Sequence, residues 1–597
     1  MSENLTEIPR PEHPRPQLVR EKWLNLNGTW QFETDPGRSG KERGLPESGA
    51  PLAQSILVPF CPESRLSGIG NADFMNAVWY KREFDAPAAW SDGRVLLHFG
   101  AVDYEAEVWV NGRRVGGHRG GYTAFSFDIT EALQFGGSNT VVVYAEDDVR
   151  SGLQPRGKQC GAYHSQGCDY TRTTGIWQTV WLEAVPQTYL SSVRIVPDPE
   201  NGCVHLEASV KGRTAGLRLG AEARFGGRTT GAASVKLGAM SARLSLALSE
   251  IHLWQPGAPE LYDLTLTLED GSGKTIDTAE AYFGLRSVGL DGMAFRINGR
   301  AVFQRLVLDQ GFYPDGIYTA PSDEALKADI EISMGLGFNG ARLHQKMFEP
   351  RFLYWADKLG YLVWGEHANW GLDITTAKGL ERFLPEWTEG VERDFNHPSI
   401  IGWCPFNETW DAANGARQDN DVLRIVYETT KALDPTRPVI DTSGNYHVVT
   451  DIFDVHDYDQ DPQTFKARYE SLASGEGDVF VTFEKRQQYG GQPYFVSEYG
   501  GIWWNPGQKD DKAWGYGNRP TSEEEFLARY EGLTTALLDN PNMFGFCYTQ
   551  LYDIEQEVNG LYTYDRKPKF DPAIIRAVNA KRAAIEAKDE ATEAAGV

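Results

Sequence analysis

No two cysteines in this chain are spaced as CxxC. The six present, Cys61, Cys160, Cys168, Cys203, Cys404 and Cys547, are scattered. That argues against a zinc site and predicts free thiols in a reducing compartment. No run of about 18 apolar residues occurs, so no segment is expected to span a membrane. Met1–Leu5 has no basic patch leading into an apolar stretch, so no secretory leader is expected and the chain reads as cytoplasmic. Positive charge is scarce as well. Against 83 Asp and Glu stand 58 Lys and Arg, a net charge of −25, the reverse of the basic footprint that nucleic acid requires. Internal repeats are absent.

What is present is enough apolar residue for several cores: 41% of 597 residues. Aromatics make up 12%, with 17 Trp. That richness suits sugar-stacking surfaces and large β-rich cores equally. Residues 1–187 read as short strands such as Val95–Phe99, Ala106–Val110 and Thr140–Tyr144. Asn111-Gly112 between two of them is a strong hairpin signal. A jelly-roll β-sandwich fits. Residues 188–288 continue in strands. Leu264 to Leu268 alternates strictly before a turn at Glu269–Gly273, and about 100 residues of this kind suit an immunoglobulin-like sandwich.

From residue 289 to 597 strands alternate with helices. Eight strand candidates can be counted: Ala301–Leu308, Gly337–Leu343, Leu362–Glu366, Ile400–Glu408, Val439–Thr442, Ile452–Tyr458, Tyr494–Glu498 and Met543–Gln550. Helices are expected over Ser322–Met334 and Ser522–Leu538, the first opened by an N-cap hydroxyl followed by acids. The pattern predicts a (β/α)8 barrel, whose chemistry sits at the C-terminal ends of its strands.

Two of those ends carry glutamates in apolar runs: Glu408 at the fourth and Glu498 at the seventh. Taken singly, a strand-end glutamate is usually a capped or solvated charge. As a pair on one barrel, two carboxyls about 5 Å apart are the working parts of a retaining glycosidase. One stays protonated near neutral pH and the other ionised, split by repulsion and environment. The Asn407 amide, beside Glu408, suits a sugar hydroxyl. Tyr499 follows Glu498 and so points away from it, which leaves Tyr458 or Tyr548 to orient Glu498.

These motifs resemble glycoside hydrolase family 2, the family of β-galactosidases and β-glucuronidases, over nearly the whole chain. Asn25-Leu26-Asn27-Gly28-Thr29-Trp30, Val110-Asn111-Gly112, Gly121–Phe125 and Thr174-Gly175-Ile176-Trp177 resemble its sugar-binding domain. Leu253–Pro256 and Phe283–Arg286 resemble its middle sandwich. Asn407-Glu408 and Ser497–Gly500 resemble its catalytic motifs. The resemblance implies Glu408 as acid/base and Glu498 as nucleophile. It adds Arg342 and His344 at the second strand's end, with Arg342 pairing Glu498. His456 and Tyr458 line the pocket from the sixth strand, and Glu366 and Trp370 from the third. Asp169 and Arg172 reach in from the first domain.

Departures from the family bear on substrate. Leu306-Val307-Leu308-Asp309-Gln310 stands where Gly-Val-Asn-x-His is usual. Asn559-Gly560-Leu561 lacks the lysine with which β-glucuronidases grip the sugar carboxylate, which counts against a uronic acid. Glu366-His367-Ala368-Asn369 lacks the Glu-x-His spacing of a magnesium site, and Cys547–Gln550 lacks the usual tryptophan. The expectation is therefore an exo-acting retaining glycosidase of a divergent branch, working on an oligosaccharide or glycoside. A terminal β-galactoside is the default, with arabinosides and galactofuranosides next. A transglycosylase and a non-catalytic carbohydrate-binding protein are the rival readings. No cofactor or metal is expected, nor a nucleic-acid or membrane partner, and a homo-oligomer is compatible with the sequence.

Overall fold

A computed structural model describes residues 8–409, 418–507 and 512–594. Met1–Leu5, on which the expectation of no leader rests, lie outside them. Three layers of architecture follow one another along the chain. In the first, a six-stranded antiparallel sheet faces a four-stranded one. Alternate residues such as Trp30, Tyr80, Leu97, Val108 and Val143 fill the space between. Glu105–Val110 and Arg113–Arg119 form the hairpin that Asn111-Gly112 announces. Both turn residues are left-handed, at φ 50° and 77°, as a two-residue turn of type I′ requires.

A second sandwich packs the three strands Tyr189–Asp198, Cys203–Lys211 and Ser241–Ala247 against four that include Tyr262–Glu269. Leu264, Leu266 and Leu268 are buried in its core, the inward half of the alternation seen in sequence. Gly284, just past its last strand, lets Trp254 and Pro398 close in. A β-carbon there would fall 2.8 Å from a side-chain atom of each. Arg286 then reaches the barrel, donating to the carbonyls of Pro398 and Ile400 at 2.6 and 2.7 Å.

The barrel strands are Gln304–Asp309, Gly340–Leu343, Leu362–Glu366, Ile400–Cys404, Thr442–Ser443, Phe453–Asp457, Tyr494–Gly500 and Met543–Thr549. Seven form one curled parallel sheet. The fifth is reduced to two residues, paired with Phe406–Asn407, and a bridge from Trp403 to Val439 continues it. The fourth strand also stops earlier than the sequence suggests. Pro405 has no N–H for the ladder, so Glu408 lies one residue beyond the resumed strand, left-handed at φ 45°. Helices Asp323–Gly335 and Glu523–Leu538 start after Ser322 and Ser522. Each serine accepts from the backbone N–H three residues on. Among the described residues no helix is long and apolar enough to cross a membrane.

Between Glu146 and Gly175 the first sandwich sends a long loop over the barrel mouth. The N–H groups of Arg156 and Gly157 donate to the Trp370 carbonyl at 2.9 and 3.1 Å. Trp514 and Gln556 from the barrel donate back to the Gly167 carbonyl. This loop makes the first domain a wall of the site.

The short fifth strand is held from outside by Arg437. Its guanidinium donates to the carbonyls of Phe395, His397 and Ile400 and to Asp434 Oδ2 at 2.7 Å. Burial raises the Asp434 carboxyl, but Arg437, Thr436 and Trp403 outweigh it and hold it below the usual range. Removing one member strands a buried charge. Arg437→Ala is expected to cost about 3–5 kcal/mol, measured as a fall in the denaturant midpoint of the barrel's unfolding. A loss under about 1 kcal/mol would show that the pair is solvated.

Candidate active site

Arg342, on the second strand and 1% exposed, is the hub. It donates to Glu366 Oε1 at 2.5 Å, the Ser497 carbonyl at 2.7 Å, Glu498 Oε1 at 3.2 Å and Asn407 Oδ1 at 3.0 Å. One guanidinium thus joins the ends of strands two, three, four and seven.

Glu498 points inward because the seventh strand bulges. Val496 pairs with Val455, yet Glu498 pairs with His456, leaving Ser497 as the extra residue. A bulge resets the alternation of side chains. Phe495 faces Trp364 inside the barrel. Glu498 faces the site, and Tyr499 turns out to Thr534 on the outer helix. Burial pushes the Glu498 carboxyl up, but His456, Arg342 and a hydrogen bond from Tyr458 overcome it and leave it below the usual value. Tyr458 donates to Glu498 Oε2 and stacks on Tyr516 at 3.5 Å, 5° from parallel.

Glu408 is fixed by its N–H, which donates to the Ser443 carbonyl at 2.8 Å. His456 Nδ1 stands 2.7 Å from Glu408 Oε1 and 3.4 Å from Glu498 Oε2, while Nε2 meets Ser443 Oγ at 3.0 Å. Burial disfavours charge on this ring, but Glu498 and Glu408 more than compensate and raise its pKa. Gly444 (φ 70°) lies flat beneath it, where a β-carbon would fall 2.2 Å from Nδ1. One carboxylate oxygen each of Glu408 and Glu498, with a nitrogen of His456, lie within 4.8 Å of one another. That closeness fits two carboxyls about 5 Å apart that share one anomeric carbon without an intervening water.

The remaining expected residues fall into three groups. Asn407 joins the centre. Its N–H donates to Asn369, and its buried Nδ2 has no partner among the described residues, which leaves it able to donate to a sugar hydroxyl. Glu366 and His344 lie behind the carboxylates, with His344 Nδ1 3.5 Å from Glu366 Oε2. Burial, and then Lys158, push His344 well below its ordinary pKa, so it is neutral. Burial raises Glu366, with Arg342 opposing. Trp370 and Asp169 line a cleft of about 640 Å³ beside the glutamates, together with Asn369, Thr409 and Cys168. Trp370 Nε1 donates to the Asn407 carbonyl, and Asp169 pairs with Arg156 at 3.2 Å. Tyr548 is a correction. It follows Cys547 and precedes Thr549, whose Oγ1 meets Tyr458 in the site. Alternation therefore turns Tyr548 outward onto Tyr499 and Tyr530. Arg172 is likewise spent, on the carbonyls of Cys160 and Ala162.

Several residues were not expected in the site, although Gln310, Gln550 and Asn559 fall within motifs where the sequence departs from the family. Ser443 and Asp454 support His456 and Ser497 from below. Tyr516 backs Tyr458. Tyr170, Gln310, Gln550, Asn559 and Glu557 close a buried ring of hydrogen bonds at the barrel rim. Lys158, from the first domain's loop, stands with its ammonium 4.1 Å from the centre of the Trp370 ring. Its placement depends on a crossing between domains that no local pattern encodes.

A parallel β/α barrel with two opposed carboxylates at its C-terminal face is the architecture of an O-glycosyl hydrolase. Residues 24–186, 188–286 and 319–582 match, in turn, the sugar binding domain, the middle domain and the TIM barrel domain of glycosyl hydrolases family 2. The chain belongs to that family. It is 27% identical over 461 residues to a β-glucuronidase of Paenibacillus borealis, covering 71% of this chain and 74% of that one. Against the β-glucuronidase of Canis lupus familiaris it is 26% identical over 483 residues, 73% and 70% of the two chains. The fold is that of a β-glucuronidase from Ruminococcus gnavus solved with D-glucuronic acid, at TM-score 0.77 and 20% identity over 94% of this chain and 99% of that one. The galactoside expected as default finds no support among these relatives.

The charge on His456 helps keep Glu498 ionised. His456→Gln is therefore expected to let the Glu498 pKa climb, so the acid limb of the kcat/KM profile moves to higher pH. An unmoved acid limb in the pH profile would rule out that coupling.

Proposed function

We propose that the chain is an exo-acting retaining β-glycosidase that removes a terminal uronic acid. The carrying observation for the mechanism is the approach of Glu408 and Glu498 within 4.8 Å around His456. Glu498, ionised, attacks the anomeric carbon, and Glu408 gives its proton to the departing oxygen. Glu408, now ionised, then takes a proton from the water that releases the sugar. Arg342 and Tyr458 hold the Glu498 carboxylate, and Asn407 offers its amide to the sugar. The ring from Tyr170 to Glu557 walls off one side of the mouth, which suits a terminal residue. The uronic acid is supported by the β-glucuronidase relatives matched over about 70% of the chain. A neutral sugar is the second reading, favoured by Leu561 and by the buried acid Glu557.

Three outcomes follow. A panel of nitrophenyl glycosides should show the β-glucuronide turned over fastest, and a neutral pyranoside or furanoside ahead of it would select the second reading. The first-formed sugar should keep the β configuration by NMR, with Glu498→Ala down by several orders of magnitude. An inverted anomer would sink the mechanism. Glu408→Ala should cripple poor leaving groups most and be rescued by azide on a dinitrophenyl glycoside, since an anion needs no general base. Equal losses without rescue would remove Glu408 from the role.

A further inference from the structure

Lys158 is 7% exposed, yet its ammonium makes no hydrogen bond or ion pair with any described residue. Its one contact of note is the face of Trp370, a residue of the cleft wall whose indole N–H is anchored on the Asn407 carbonyl. The backbone that carries it is fixed. The Lys158 carbonyl accepts from Tyr170 N–H at 2.7 Å, and the preceding N–H groups of Arg156 and Gly157 bind the Trp370 carbonyl. Burial alone lowers the pKa of this lysine. Cys168, Glu557, Glu408 and Glu498 together outweigh that and raise it, so the group is charged.

A buried cation without a partner is costly unless something else pairs with it. Lysine serves well as a point charge for an anion. Among the described residues around the carboxylates, the barrel offers no substitute. Arg342 is consumed by four hydrogen bonds, and His344 is neutral. Leu561 is apolar and buried, and both polar ends of Asn559 are spent within the rim, on Gln550 and Glu557. Glu366, Glu408, Glu498 and Glu557 would repel a second anion entering unaided.

We propose that the sugar carboxylate is read by Lys158 of the first domain, standing on Trp370, rather than by a residue of the barrel. The inference rests on the uronoside reading above. It moves the charge-selecting group onto the loop that roofs the site.

The test compares 4-nitrophenyl β-D-glucuronide with its uronamide, which is nearly isosteric but uncharged. Wild-type enzyme, Lys158→Met and Lys158→Arg are assayed on both, with Lys158→Gln held in reserve if the Met variant fails to fold. The preference for the acid, as a ratio of kcat/KM values, should fall about 30-fold in Lys158→Met, chiefly through KM, for the loss of one charge-assisted hydrogen bond. Lys158→Arg should restore part of it. An unchanged ratio, with both substrates losing equally, would overturn the role of Lys158 and leave the uronoside reading standing. Wild-type enzyme that hydrolyses neutral glycosides but neither turns over nor is inhibited by the glucuronide would overturn both.

Discussion

One buried guanidinium organises the barrel's working end. Arg342 is surrounded by Glu366, Glu498, Asn407 and the Ser497 carbonyl, so four strand ends meet through its four hydrogen bonds. An arginine is suited to this because its fork of donors is rigid and permanently charged. Its charge offsets those of two carboxylates that burial would otherwise neutralise. The consequences spread outward. Glu498 stays ionised although buried. His344, caught between Lys158 and Arg342, stays neutral. The carbonyl exposed by the bulge at Ser497 finds a donor, so the irregularity that aims Glu498 leaves no orphaned acceptor.

Much of this was legible in the sequence, and the limits have physical causes. The eight strands could be counted because parallel strands buried on both faces read as short apolar runs between helices. The glutamates were visible as polar breaks at the ends of such runs, and Arg342 through the family resemblance. The fifth strand read as four residues, whereas pairing shrinks it to two, since Pro405 interrupts its neighbour's ladder. Tyr458 and Tyr548 could not be told apart, because each stands near a strand end. Only the register of the sixth and eighth strands sends one inward and the other onto Tyr530. Leu561 stands where β-glucuronidases carry a lysine, which counted against a uronic acid in the sequence, whereas the relatives matched are β-glucuronidases. Lys158, proposed to take that part from some 400 residues earlier in the chain, was beyond any local signal.

The three domains also divide the labour unevenly. The middle sandwich touches the barrel through Arg286 and Trp254, far from the carboxylates, and serves as a brace. The first sandwich is part of the site: its loop contributes Lys158, Cys168 and Asp169 and is tied to the barrel through Trp370 and Gln556. Opening between these two bodies would therefore alter both the depth of the cleft and its charge.

The conformation of Glu408 sets folding against chemistry at one position. A non-glycine residue at φ 45° carries strain on the order of 1 kcal/mol or more, which glycine would not. A chain with glycine there would fold at least as firmly but would lack the acid/base proposed above. Selection for a stable fold alone would favour glycine at this position, and only a demand for the proposed proton transfer would favour glutamate.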